Sequence, residues 1–273
     1  MLSIIIPVYN KIEITISCIQ KNIIHCEQKS EWIIIDNNSD EATKAGLLQL
    51  KKFAEEKNHT FTIIHETENT GTARAWNTGL AKATGTYIVI LNNDCVLMPH
   101  WDTATIKEIE TGKLELFTPF IIEPPMLKNK YNESDFWEGK KNWNYYLQKN
   151  KRRICNGIFG GVVFAAKKET FAKIGLFDSK FWLTLDDMDY IYKAMKMGIK
   201  TGISGNIIGF HHVSSTRKEM NINEQVAVNY FKEKWNCDYA KQENSFWNKL
   251  KRSYRKKLFL YTGKLGRINM ILK

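Results

Sequence analysis

At 273 residues the chain is long enough for one large domain or two small ones, with a real core. A hydrophobic share of 43%, 25% charged residues and five prolines exclude disorder, collagen and coiled coil as the main architecture. The net charge of +11 is localised: residues 241–273 hold ten Lys/Arg against one acid, Glu243, residues 123–153 hold eight against four, and the rest is close to neutral.

Leu2 to Val8 is an apolar run that reads as a strand. Lys11 to Ile24 has helical spacing at Ile12, Ile16, Ile19 and Ile23. Glu31 to Ile35 is a second strand, closed by Asp36-Asn37-Asn38-Ser39-Asp40. Glu41 to Asn58 is an amphipathic helix, Phe61 to His65 a third strand, Gly71 to Ala83 a small-residue helix and Tyr87 to Leu91 a fourth strand. Short, continuously apolar strands alternating with helices predict an α/β fold, with a mostly parallel sheet covered on both faces. Phe117 to Ile122 reads as a further strand. Glu123 to Arg153 is basic and aromatic and reads as an insertion or lid. Gly157 to Ala166 reads as a Gly-led strand, Lys168 to Ile174 and Asp187 to Met197 as helices, and Ile203 to Phe210 as a strand running into His211-His212. Residues 241–273 read as a basic helical tail. The expected division is therefore 1–116, 117–240 and the tail 241–273.

The longest uncharged, largely apolar stretch is Gly157 to Ala166, short of the roughly 20 residues of a membrane span. No basic n-region precedes Leu2, so no signal peptide is expected. Five cysteines without a CxxC pair suit reduced thiols in the cytoplasm. The two basic segments point to an anionic partner, either a membrane surface on its inner face or a nucleic acid.

Ligands of an open α/β sheet bind beyond the carboxyl ends of its strands. The residues there are Pro7-Val8-Tyr9-Asn10, Asp36, His65-Glu66 and Asn92-Asn93-Asp94. No GxGxxG follows the first strand, and no GxxxxGK[ST] occurs, so dinucleotide and P-loop sites are not expected. Taken locally, Asp36 fits an Asx turn, and Thr184 with Asp187 fits a T-x-x-D capping box.

In order and spacing, Ser3-Ile4-Ile5-Ile6-Pro7-Val8-Tyr9-Asn10, Asp36-Asn37-Asn38-Ser39-Asp40, Asn69-x-Gly71-x-x-Arg74-x-x-Asn77-x-Gly79 and Leu91-Asn92-Asn93-Asp94 resemble glycosyltransferase family 2, in a rhamnosyltransferase-like form. So do Gly160-Gly161-x-x-Phe164, Gly175-x-Phe177-Asp178 and Asp186-Asp187-Met188-Asp189-Tyr190, and the resemblance covers residues 2 to 215. It implies a GT-A fold, an inverting transfer from a nucleotide diphosphate sugar to an acceptor hydroxyl, and Mn²⁺ or Mg²⁺ as cofactor. It implies a base pocket at Pro7, Tyr9 and Asp36, with UDP or dTDP expected because a carboxylate accepts the imide N–H of uracil or thymine. Asn38, Asn69, Arg74, Asn92 and Asn93 are the further nucleotide-side candidates, Arg74 for the diphosphate.

Asp94 stands at the Asp-x-Asp metal motif, whose first carboxylate is here Asn92, and His211 or His212 is the second metal candidate, His211 preferred. Asp187 matches the general base, with Asp186 beside it. Trp137, Trp143, Trp182 and Asp189 are acceptor-side candidates. The expected acceptor is a lipid-linked or cell-surface glycan. The alternatives are a hydroxymethylated pyrimidine in viral DNA, or a non-catalytic protein of this fold that binds membrane or nucleic acid.

Overall fold

In the first third of the chain, β1 (Leu2–Val8), α1 (Ile12–Ile24), β2 (Glu31–Asp36), α2 (Glu41–Glu56), β3 (Thr60–His65), α3 (Gly71–Lys82) and β4 (Tyr87–Leu91) alternate as the apolar pattern requires. The structure is a computed structural model and describes residues 1–124, 141–212 and 224–236. The four strands pair in the order β3-β2-β1-β4, all parallel. Strand β1 is buried throughout, as a strand covered on both faces must be. Helix α2 starts at Asp40, whose carboxylate accepts the Thr43 N–H at 2.8 Å. It ends at Glu56, short of Asn58, which takes a left-handed φ of 63°.

Past β4 come β5 (Cys95–Leu97), α4 (Trp101–Glu110), β6 (Leu116–Ile122), α5 (Lys141–Asn150), β7 (Ile154–Asn156), β8 (Val163–Lys167), α6 (Lys168–Ile174), α7 (Asp186–Lys196), β9 (Thr201–His211) and α8 (Glu224–Trp235). The sheet continues as β8-β6-β9-β5, with β7 also on β9. Here β8 runs antiparallel to β4 and β6, β5 and β7 run antiparallel to β9, and β6 is parallel to β9. The sheet is thus parallel on the β3 side and mixed on the other. It crosses residue 116 without a break, so the two expected halves share one sheet and one core. A smaller apolar cluster of Phe181, Met188 and Phe231 lies under α8.

The Gly-led strand expected at Gly157–Ala166 is confined to Val163–Lys167. Residues 157–162 form the loop that enters it, with Gly157 at φ 132°. The proposed insertion folds in part as α5, packed on β9. The four described cysteines are free thiols. Among the described residues no helix is long and apolar enough to cross a membrane. The basic tail, 241–273, lies outside the described residues.

Strand order reverses between β1 and β4, the place where an open α/β sheet leaves a crevice at its carboxyl edge.

Candidate active site

Parallel register sets Val8, Asp36 and His65 side by side at that edge. Asp36 is fully buried. One carboxylate oxygen accepts the Ser39 N–H at 2.9 Å, an Asx turn, and the other accepts from His65 Nδ1 at 2.7 Å. His65 is half exposed, so the imidazole, not the carboxylate, meets solvent at the end of the second and third strands. Pro7 is buried within β1, Tyr9 is half-buried just past it, and Asn38 is exposed in a left-handed turn at φ 61°.

Asn37 and Asn69 build the start of α3. The Asn37 side-chain Oδ1 accepts the Thr70 N–H and hydroxyl at 2.9 and 3.0 Å, and its Nδ2 donates to Asn69 Oδ1 at 2.9 Å, which also accepts the Gly71 N–H at 3.0 Å. Arg74 stands exposed in the first turn that this network fixes. In the sequence Asn37 is one residue of a polar motif with no evident task of its own. Its task is to orient the helix that carries Arg74.

Asp94 and His211 are far apart in sequence, and a three-residue strand joins them. Antiparallel pairing sets Cys95 opposite His211, and the His212 N–H donates to the Asp94 carbonyl at 2.9 Å. His211 Nε2 then lies 3.3 Å from Asp94 Oδ1. On its other side His211 Nδ1 lies 3.2 Å from Glu123 Oε1, brought there because β6 runs beside β9 in register. Burial pulls the imidazolium down, but the Asp94 carboxylate and then Glu123 outweigh it and hold the His211 pKa at about 9. Burial lowers that of His212 to about 4, against the attraction of Asp94.

Asp94 and His211 offer one carboxylate oxygen and one imidazole nitrogen, and the carboxylate behind His211 is the kind of second partner that fixes a ligating ring. The donor set fits a divalent cation that keeps open positions for a substrate. Among the described residues no three His, Cys, Asp or Glu side chains converge to hold a metal alone. The sequence shows Glu123 only as the edge of an expected insertion; its place just past a strand parallel to β9 depends on a long-range pairing. Asn92 and Asn93 are half-buried, and Asn93 donates to the Thr15 hydroxyl at 2.8 Å.

The loop before β8 ties this corner to the acidic helix. The Asn92 N–H donates to the Val162 carbonyl at 3.0 Å, and one residue earlier the Gly161 N–H donates to Asp187 Oδ2 at 2.7 Å. Asp187 Oδ1 accepts from the Met188 N–H at 2.9 Å, and Asp186 Oδ1 from the Asp187 N–H at 3.0 Å. Both side chains are buried in the first turn of α7, where backbone N–H groups without partners in the helix favour negative charge. The T-x-x-D capping box does not form. The N-cap is Leu185, in a left-handed conformation with φ 62°, one residue past Thr184, and the helix begins at Asp186. The Thr184 hydroxyl is buried without a hydrogen-bond partner among the described residues.

Of the acceptor-side candidates, Trp182 is partly exposed over the start of α3. Its carbonyl accepts the Thr72 N–H at 2.9 Å and its Nε1 donates to the Asn69 carbonyl at 3.3 Å. Gly71, at φ 78°, permits this approach: a Cβ there would meet the Trp182 carbonyl at 2.3 Å. Asp189 is buried against Lys234 and Trp235. Burial raises its pKa, and Lys234 opposes the shift. Trp143 is buried in the core, edge-on to His25. Trp137 lies outside the described residues.

Residues 3–175 match the family model for glycosyl transferase family 2. The chain therefore belongs to glycosyl transferase family 2, and its class is that of the glycosyltransferases. An uncharacterized glycosyltransferase of Haemophilus influenzae is 25% identical over 239 residues, covering 85% of this chain and 76% of that protein. One from Rickettsia bellii is 36% identical over 164 residues, 59% of this chain and 20% of that protein.

Among solved structures, the mannosyltransferase PcManGT from Pyrobaculum calidifontis, in complex with GDP-Man and Mn²⁺, superposes with a TM-score of 0.58 at 22% identity, over 78% of this chain and 57% of that one. GalNAc-T7 with UDP, GalNAc and Mn²⁺ gives 0.60 at 16% identity, over 78% of this chain and 44% of that one. The chain thus spans about half the length of these solved neighbours, and the fold it shares with them is GT-A.

Proposed function

We propose that the protein is an inverting glycosyltransferase that moves a sugar from UDP or dTDP to the hydroxyl of a glycan acceptor. The carrying observation is the short link through Gly161 and Val162, which joins the strand end bearing Asn92 and Asp94 to the first turn bearing Asp187. A leaving-group site and a carboxylate base are thereby held on opposite sides of one loop.

Tyr9, Asn38, and Asp36 through His65 border the nucleotide, and Arg74 faces its diphosphate. Asp94 and His211 would hold Mn²⁺ or Mg²⁺, which when bound neutralises charge on the diphosphate. Asp187 takes the acceptor proton as the acceptor oxygen bonds to the anomeric carbon from the face opposite the diphosphate. The bond from that carbon to the diphosphate oxygen breaks, and the nucleoside diphosphate leaves with its electron pair. One displacement inverts the anomeric centre. Trp182 supplies an aromatic wall beside the site. Related structures carrying GDP-Man or UDP together with Mn²⁺ support the donor and cofactor classes.

The test is a thermal-shift series with UDP, dTDP, GDP and CDP, each with and without Mn²⁺. A ligand at 100 times its Kd stabilises by about 2.7 kcal/mol. That corresponds to a shift of several degrees, at about 2–4 °C per kcal/mol. The expected result is a Mn²⁺-dependent shift with UDP or dTDP that Asp94→Ala abolishes. No shift with any nucleotide would overturn the reading.

A further inference from the structure

The segment between Phe177 and α7 contains no regular helix or strand, yet it carries Trp182 and leads directly into Asp186 and Asp187. One cation ties its two ends. Lys234 Nζ, from α8, lies 2.7 Å from Asp178 Oδ2 at the start of the segment and 2.8 Å from the Asp189 carboxylate on the helix that follows it. The neighbours of Lys234 join in: the Tyr230 hydroxyl donates to Asp178 Oδ2 at 2.9 Å, and Trp235 Nε1 donates to Asp189 Oδ1 at 2.8 Å. The ammonium also stands over the Phe181 ring, 5.3 Å from its centroid. Phe181 in turn packs with Met188 and Phe231, so an apolar seam backs the polar clamp.

We propose that Lys234 is a positioning residue for the transfer, closing residues 178–189 into a ring that fixes Asp187 against Gly161 and Trp182 against the start of α3. The inference rests on Asp187 being the base. Asp178 and Asp189 repel each other across the segment, and the ammonium between them turns that repulsion into two attractions. Because the cluster is largely shielded from solvent, removing this ammonium takes away the cation in direct contact with both carboxylates and leaves the Tyr230 O–H, Trp235 Nε1–H and Lys180 N–H donors and the field of Lys193 to offset their repulsion. The ring accepts hydrogen bonds on both sides of the site: the Trp182 carbonyl from the Thr72 N–H at the start of α3, and the Asp187 carboxylate from the Gly161 N–H. Opening the ring therefore loosens Asp187 and Trp182, while the Asn37–Asn69 network still fixes the start of α3 and the strand ends still hold a nucleotide.

The experiment uses the full chain with Lys234→Met, which keeps the aliphatic stem, and Lys234→Arg, which keeps the charge. Amide hydrogen exchange, UDP affinity in Mn²⁺, and UDP release from UDP-glucose to water are measured for each, with release expressed per nucleotide-binding site. For Lys234→Met, exchange in residues 178–190 accelerates by about tenfold or more and release falls by about tenfold, while UDP affinity and exchange in β1 to β4 stay as in wild type. Lys234→Arg recovers most of both. Unchanged exchange in 178–190 would overturn the proposal, as would exchange accelerated throughout the sheet or release equal to wild type. Wild-type protein that binds no nucleotide would sink the functional reading instead, and exchange would still decide whether Lys234 closes the ring.

Discussion

Gly161 and Asp187 are in direct contact: the glycine N–H donates to Asp187 Oδ2 at 2.7 Å, and a Cβ on the glycine would stand 2.2 Å from the Asp187 Cβ. The overlap involves a short, buried side chain, which cannot swing aside. Gly161→Ala must therefore push the first turn of α7 away from the loop. The expected outcome is turnover reduced by about 100-fold or more, since small misplacements of a reacting group cost that much, with nucleotide affinity preserved. Calorimetric titration with UDP and an assay of donor turnover on the same sample separate the two effects. Full activity in this variant would mean that Asp187 is not the base.

At the other end of the cleft, His65 is the exposed half of a buried pair. Both oxygens of Asp36 are already used by the protein, by Ser39 and by His65. A base entering this corner meets the imidazole first, with the carboxylate fixing which ring nitrogen carries the proton. His65→Ala is expected to weaken UDP binding about tenfold, the loss of roughly one hydrogen bond to a charged or polarised group. Isothermal titration gives the number directly, and an unchanged Kd would remove His65 from the base pocket.

The parallel half of this fold was readable because its information is local. Ile33 to Ile35 and Tyr87 to Leu91 are continuous apolar runs, and helical spacing between such runs leaves few arrangements. The strand-end rule then located Asp36 and Asp94 without knowledge of any contact. The other half depends on pairings between distant segments. Strand β5 is three residues long and has no periodicity to detect, yet its pairing of Cys95 with His211 makes the Asp94–His211 contact. Glu123 enters the site only because β6 and β9 lie in register. Leu185 shifts the start of α7 by adopting a left-handed backbone that nothing in its residue type announces. The clamp on Asp178 and Asp189 comes from α8, which the sequence pattern did not reveal.

Tyr190 offers a test of the core that does not touch the chemistry. Its ring is fully buried and stacked on Phe177, with centroids 3.7 Å apart. Its hydroxyl has no hydrogen-bond partner among the described residues. Burying an unpaired hydroxyl costs about 1–3 kcal/mol on the scale of protein mutations. Tyr190→Phe keeps the stack and removes the cost. It is expected to raise stability by about 1 kcal/mol, read as a higher denaturation midpoint at unchanged slope. A loss of stability would show that the hydroxyl is satisfied in solution.

The His211 imidazole lies between two carboxylates, and this makes stability depend on pH in a definite direction. Its pKa is about 9 in the folded chain and near the ordinary 6.5 in the unfolded one. The folded state thus holds the proton more tightly, and the stabilisation is complete below about pH 6.5. It declines as pH rises through 6.5 and is gone above 9, a change of about 3 kcal/mol for the metal-free protein. Divalent cations act in the opposite sense, because an imidazole must lose its proton before it can ligate, so Mn²⁺ affinity should climb over the same interval. Melting curves between pH 6 and 9.5, with EDTA and then with Mn²⁺, measure both trends. The metal-free melting temperature should fall with pH, the increment from Mn²⁺ should grow, and His211→Ala should flatten both. If the slope survives in His211→Ala, another group titrates there and the assignment of His211 to the proton, and with it to the metal, is wrong.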